Sequence, residues 1–325
     1  MRAFFLGILM ESWSSFWQQG HSTTFGPFFG GGYDGAVKQW WLDVVGNFED
    51  GVAILDVACG NGALLIPTLE KFTSGRYRGI DLANVSLSAV AKRLSAEKPN
   101  FDAKLFSEVP AESLPFDDDC FDLASSIFGF EYSDINKSTS EIFRVLKPNG
   151  QFQALIHATE SVITQMTTRA LSEYRDADMA SIVKSLDIIE QELARLGSPS
   201  LLKSSQEAET ARATINALAE KYMSDLDPQT GNAIMVQFVG DSLKYFKIIK
   251  ETEPVRRKYL EGLESEFTAS RERYRAMKKA AKSGEEIEEL VELFRKTGFN
   301  SVEASNFYSN STNKELAAWH LCASK

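Results

Sequence analysis

Between residues 52 and 157, short apolar runs alternate with helix-patterned stretches, and few folds accommodate that rhythm. A buried run of four to eight residues needs strand neighbours, and a helix between successive runs carries the chain back to a parallel partner. Val52–Val57 is the first run, followed by Cys59-Gly60-Asn61-Gly62 and a helix through about Lys71. Tyr77–Ile80 is the second, ending at Asp81, with a helix over Ser86–Ala96. Ala103–Phe106 is the third, and Phe121–Ile127 the fourth, behind the acidic turn Asp117-Asp118-Asp119. A helix over Lys137–Leu146 and a turn at Lys147-Pro148-Asn149-Gly150 lead into the fifth, Gln151–His157. The expected fold class is α/β, with a doubly wound, mostly parallel sheet.

Beyond residue 160 the rhythm changes. Residues 161–283 show no strand pattern but several amphipathic helices. Met179, Ile182, Val183, Leu186, Ile189, Leu193 and Leu196 form one apolar stripe; Met235, Val239, Leu243 and Phe246 form another. Ser198-Pro199-Ser200 and Asp227-Pro228 punctuate the segment. It is too long for a loop in a compact fold, so it reads as a helical insertion between strands 5 and 6. After Gly284 the α/β pattern returns: a helix over Ile287–Lys296 stopped at Gly298, then strands over Ser301–Tyr308 and Glu315–Ala323. Ser309-Asn310-Ser311 between them is a polar break of the hairpin kind. Residues 1–50 concentrate aromatics (Trp13, Phe16, Trp17, Phe25, Phe28, Phe29, Tyr33, Trp40, Trp41) around Gly30-Gly31-Gly32, which suits a cover over the core, a lid, or both. Four segments follow: 1–50, 51–160, 161–283 and 284–325.

Charge narrows the partners. The formal net charge is −10, while residues 160–283 hold 19 basic and 19 acidic residues, so the rest of the chain carries the whole excess. Nucleic-acid binding relies on Lys and Arg, and this balance argues against it. The basic stretch Arg271–Lys282 reads as a solvated helix face rather than an RNA patch. Cys59, Cys120 and Cys322 lie far apart without metal-ligand spacing, which fits free thiols in a reducing compartment and no metal site. Met1–Met10 has a short apolar run, a single Arg and no small-residue cleavage site, so it reads as part of an N-terminal helix. No stretch is long enough to span a bilayer, and the expected location is cytoplasmic.

The sharpest chemical signal is Ile54-Leu55-Asp56-Val57-Ala58-Cys59-Gly60-Asn61-Gly62, an apolar strand running into a Gly-x-Gly turn that opens a helix. Glycines there let backbone approach a ligand at the carboxyl edge of the sheet. A dinucleotide loop would carry a third glycine where this chain has Leu65, and Asp56 would repel a pyrophosphate. The same carboxylate attracts an ammonium. Asp81 ends the next strand, where a carboxylate accepts both hydroxyl protons of a ribose. The pair fits a cofactor with a ribose, a positive charge and no phosphate, such as S-adenosylmethionine.

These residues resemble the class I S-adenosylmethionine-dependent methyltransferases, particularly their small-molecule, quinone-biosynthesis branch. The likeness covers about 50–157 well and 284–325 in outline. It rests on LDVACGNG (55–62), GIDLANVSL (79–87), PAESLPFDDDCFDLA (110–124) and EIFRVLKPNG (141–150), with FRKTGFNSV (294–302) and AAWHLCASK (317–325) at the end. The resemblance implies a Rossmann-like core with S-adenosyl-L-methionine as cofactor and S-adenosyl-L-homocysteine as product. Asp56, Ala58, Gly60 and Gly62 would hold the methionine part, with Cys59 also at the cofactor, Asp81 at the ribose and Leu82 on the adenine face. Ala111 and Glu112 would border the adenine, and Phe128 would pass backbone along the cofactor. Many relatives have Asp where this chain has Pro110, so the adenine amine would be recognised by a neighbour or by water.

Methyl transfer needs a nucleophile about 3 Å from the methyl, in a site that excludes water. A base is needed only where the nucleophile must lose a proton. His157, at the end of the fifth strand, and His21, in the aromatic N-terminus, are the candidate bases; His320 reads as structural. Tyr33, Glu131 and Tyr132 are the candidate acceptor contacts. Ser126-Ile127-Phe128-Gly129-Phe130 lacks the Asn/Asp-Pro-Pro-aromatic motif of amino-group methyltransferases for bases or glutamine. The favoured acceptor is a small aromatic or hydrophobic metabolite methylated on O, N or C, with the insertion as its cap or as a homodimer module. An RNA or protein methyltransferase docking through the insertion is one alternative. Others are a cofactor-binding protein without transfer, and a different sulfonium reaction such as aminopropyl or carboxymethyl transfer.

Overall fold

The computed structural model describes residues 2–24, 33–227, 230–309 and 314–325, with side chains described from Met10 onward. The chain divides into two compact units, Met1–Met166 with Ala276–Lys325, and Thr167–Arg275.

The first unit opens with α1 (Arg2–Gln18) and α2 (Gly35–Val45), then alternates strands and helices. The series runs β1 (Ala53–Val57), α3 (Leu65–Lys71), β2 (Gly75–Ile80), α4 (Ala89–Ala96), β3 (Phe101–Phe106), β4 (Phe121–Ile127), α5 (Ile135–Val145) and β5 (Leu146–Ile156). The strands form one seven-stranded sheet in the order β3-β2-β1-β4-β5-β7-β6, where β6 is Ser301–Tyr308 and β7 Leu316–Ser324. β1 to β5 pair in parallel; β7 enters antiparallel between β5 and β6. The sheet is thus doubly wound and mostly parallel, as the alternating pattern requires. Its order reverses between β1 and β4, the point where such sheets open a ligand crevice at their carboxyl ends.

Both faces are covered, which is why β1 is buried at every position. Leu55 and Val57 pack on one side with Ile142, Val145, Leu290 and Phe294. Ile54 packs on the other with Trp40, Trp41, Leu65, Leu69 and Ala91. Trp41 is fully buried, and its indole N–H donates to Thr68 Oγ1 at 2.9 Å. Its apolar burial contributes about 2 kcal/mol or more only because that donor is satisfied.

Several boundaries differ from the sequence reading for local reasons. The helix expected from Ser86 starts at Ala89, because Ser88 Oγ caps it by accepting from the Ala91 amide at 3.2 Å. β5 begins at Leu146, ahead of the expected turn. Leu146 pairs with Phe121 and Gln151 with Leu123, so residues 147–150 bulge out of the ladder within the strand. The last helix of this unit starts at Gly284, three residues early, since Ser283 and Glu286 form a reciprocal capping box. Phe25, Phe28, Phe29 and Gly30–Gly32 of the N-terminal aromatic run, Pro228, and Asn310-Ser311 of the hairpin lie outside the described residues.

The second unit is helical. It draws on α6 (Val162–Glu173), α7 (Asp176–Leu196), α8 (Gln206–Met223), α9 (Ala233–Lys244) and α10 (Glu253–Ala280); α11 (Gly284–Thr297) belongs to the first unit. Ile182, Leu186, Ile189 and Leu193 of α7 meet Ile215, Met235, Phe238 and Phe267 in its core. A buried ion pair sits in the same unit. Glu190 accepts from Arg256 Nη2 at 2.7 Å and Nε at 2.8 Å, and from the Tyr245 hydroxyl.

Candidate active site

The carboxyl ends of β1 and β4 both turn through left-handed backbone. Ala58 has φ 58° and Phe128 φ 55°, conformations that L residues hold only when the surroundings impose them. Gly129 is forced by the crossing: a Cβ there would stand 2.3 Å from the Ala58 Cβ. Ser126 ties the two ends together, donating to Val57 O at 2.8 Å and accepting from the Phe130 amide at 2.9 Å.

Asp81, just past β2, closes the third side. Its Oδ2 accepts from the Gly60 amide at 2.9 Å and its Oδ1 from the Ala83 amide at 2.8 Å. An ionised carboxylate has about four acceptor directions; with the Leu82 amide as a third donor, one remains for a ligand. Asp81 is 8% exposed, and burial pushes its carboxyl up to about 6 against the pull of the Ala83, Gly60 and Leu82 amides.

These turns surround a cavity of about 440 Å³, the size of a small-molecule site. Ala58, Cys59, Gly60, Asp81 and Leu82 line it, with Val109 to Glu112, Phe128, Tyr33 and Tyr132. Trp13 and Trp17 of α1 complete it, stacked with centroids 6.2 Å apart. The sequence-predicted positions it gathers are therefore Ala58, Cys59, Gly60, Asp81, Leu82, Ala111, Glu112, Phe128, Tyr33 and Tyr132.

Five predicted positions lie off the wall. Gly62, with φ 76°, shapes the loop from behind. Asp56 is 2% exposed inside β1 and accepts from the Tyr77 hydroxyl. Burial, against that hydrogen bond and with Asp81 repelling it, pushes its carboxyl up to about 7. Glu131, 4% exposed, accepts from the His157 amide at 2.9 Å through Oε1, and burial pushes it up to about 7. His157 is 2% exposed and stacks on Phe128 with centroids 4.5 Å apart; burial pushes its imidazole down to about 3. His21 stacks on Phe16, its Nε2 3.2 Å from Gln19 Oε1. Glu131 Oε2, the Tyr132 hydroxyl and His157 Nδ1 are buried and have no hydrogen-bond partner among the described residues. Tyr33 lies within electrostatic reach of both Asp56 and Glu131, which add to burial in raising its phenol.

Sequence reasoning missed Tyr77, Asn61 and Lys137. Lys137 lines the cavity and sits 3.5 Å from Asp134. Tyr77 and Asn61 acquire their partners only when distant segments come together, and the local pair of Lys137 with Asp134 does not announce a cavity.

Residues 54–150 match the family model described as a methyltransferase domain. The core of this chain is a methyltransferase domain. Two curated relatives are similar over part of that core. One is the ubiquinone/menaquinone biosynthesis C-methyltransferase of Rickettsia felis, 38% identical over 31% of this chain and 43% of that protein. The other is the demethylmenaquinone methyltransferase of Symbiobacterium thermophilum, 34% identical over 37% and 49%. The chain spans less than half the length of each. Among solved structures it is similar to phosphoethanolamine N-methyltransferase 2 of Haemonchus contortus in complex with S-adenosyl-L-methionine. That likeness covers 93% of this chain and 55% of that one, at 16% identity and a TM-score of 0.44. Among the described residues, the methyltransferase domain and the helical unit contain no helix long and apolar enough to cross a membrane.

Proposed function

We propose that this protein transfers a methyl group from S-adenosylmethionine to a small, largely apolar acceptor. The observation that carries the reading is Asp81, held by the Gly60 and Ala83 amides on the wall of an otherwise mainly apolar cavity. The residues fit such a cofactor. The acceptor direction left on Asp81 suits a ribose hydroxyl, Leu82, Val109 and Pro110 offer apolar surface to a flat ring, and the glycine loop allows close backbone approach. Asp56 and Asp81 make the loop end of the site electronegative.

When bound, the cofactor supplies an electrophilic methyl on a sulfonium. The chain's own part is to orient, dry and polarise the space beside it. Trp13, Trp17, Phe128 and Tyr132 exclude water from that space. Glu131, with Oε2 unpartnered among the described residues and a carboxyl raised to about 7, suits the role of proton acceptor better than His157, which burial makes too weak a base by pushing its imidazole down to about 3. In this reading His157 positions Glu131 through its amide, and Asp56 acts from behind the loop.

The apolar wall and the names of the two curated relatives support an aromatic, quinol-like acceptor. A docked nucleic acid draws no support from the basic stretch of α10. Arg271 pairs with Asp176 at 2.5 Å, Arg273 with Glu266 at 2.7 Å, and Arg275 with Glu272.

Calorimetric titration with S-adenosylmethionine, S-adenosylhomocysteine and NAD tests the reading. We expect micromolar binding of both sulfur compounds and none of NAD. Asp81→Ala removes a charge-assisted hydrogen bond to the ligand and weakens binding about 10- to 100-fold. Binding of NAD instead, or unchanged affinity in the variant, would overturn it.

A further inference from the structure

Asn61 stands between the two glycines of the loop and is only 2% exposed, yet its side chain does not face the cavity. Its Nδ2 donates to Trp17 O at 2.8 Å and to His21 O at 2.7 Å, and its Oδ1 accepts from the Ser86 amide at 3.0 Å. Two carbonyls on one side and an N–H on the other admit a single amide orientation. The carbonyls belong to the end of α1 and the turn after it, where the last helical C=O groups lack partners within the helix. Asn61 therefore joins α1 to the glycine loop.

The surrounding contacts point the same way. The Trp17 indole lies so close over Gly60 that a Cβ there would stand 2.6 Å from the ring. Phe16 and Trp17 pack with Cys59, Ala83 and Val85 in a small core of their own. Ser14 Oγ accepts from the Asn84 amide at 3.0 Å. Trp13 and Trp17 thus form one wall of the cavity on a helix held to the loop by this small apolar core and by the hydrogen bonds of Asn61 and Ser14.

We propose that Asn61 is a latch: it holds α1 closed over the cofactor loop, and ligand enters and leaves the cavity only when those hydrogen bonds release. Asn61 is thus a positioning residue that sets the rate of cofactor exchange. The proposal rests on the reading of the cavity as a cofactor site.

The test follows S-adenosylhomocysteine release from the full chain by stopped-flow tryptophan fluorescence, with hydrogen exchange over residues 10–18. Asn61→Asp places a carboxylate against the Trp17 and His21 carbonyls. It should speed release at least tenfold and remove the amide protection of α1. The double variant Ser14→Cys/Asn84→Cys, oxidised, should neither take up nor release ligand until reduced. Release at the wild-type rate from Asn61→Asp, or free exchange in the cross-linked protein, overturns the latch. Should Asn61→Asp not fold, the cross-linked variant decides alone. If the wild-type chain binds no S-adenosylhomocysteine, the cofactor reading fails, and the exchange protection of α1 in Asn61→Asp still decides whether Asn61 holds the helix.

Discussion

The two units bury acids in opposite ways. In the helical unit, burial alone would raise the Glu190 carboxyl, but hydrogen bonds from Arg256 and Tyr245 outweigh it and hold the group below its usual range. In the sheet unit, Asp56, Asp81 and Glu131 are equally inaccessible, and among the described residues none has an ion-pair partner. All three are pushed upward, to about 7, 6 and 7. A buried charge is tolerated when it is paired and costly when it is not. The first arrangement is complete within the chain. The second holds proton-sensitive carboxylates at the carboxyl edge of the sheet, where a cationic ligand would complete it.

The strongest way to break this contrast is to remove the cation from the complete pair. Arg256→Ala leaves Glu190 buried and alone, and we expect a loss of about 3–5 kcal/mol, read as a lower urea midpoint with unchanged slope. A loss below about 1 kcal/mol would mean that Glu190 is not held by its partner.

Asp56→Asn sharpens the other side. A carboxyl raised in the folded state binds more protons folded than unfolded between about pH 4 and 7. Its contribution to stability is therefore present at low pH and lost as pH rises through about 7. The variant should gain about 1–3 kcal/mol over the parent at pH 8, measured without ligand, and nothing at pH 4. A pH-independent difference would place the ionisation elsewhere.

The smallest effect belongs to the surface. The Asp176 partner of Arg271 is exposed, so Arg271→Ala should cost less than about 1 kcal/mol and less still in high salt, by thermal melting at two ionic strengths.

Much of the sheet was legible because its signals are local. An apolar strand, a glycine turn and an acid at the next strand end each sit within a few residues, and β6 was bounded at Ser301 and Tyr308 from its flanking turns alone. The bulge in β5 was not, since it exists only relative to the β4 register. The same limit applies at the cavity. Asp56 is conspicuous in sequence, but its burial under Tyr77 depends on the pairing of β1 with β2. His157 stands at the strand end that invites a catalytic role, and only packing against Phe128 places it off the wall.

The position of β7 has a consequence for synthesis. Residues 151–156 of β5 take their second neighbour from residues 319–324. When the ribosome has finished β5, that neighbour lies about 170 residues ahead, behind the whole helical unit. At roughly 5–20 residues per second, β5 waits with one edge bare for about ten to thirty seconds. Bare apolar edges recruit other chains, so the nascent core is an expected client for chaperones until the last strand slides into place.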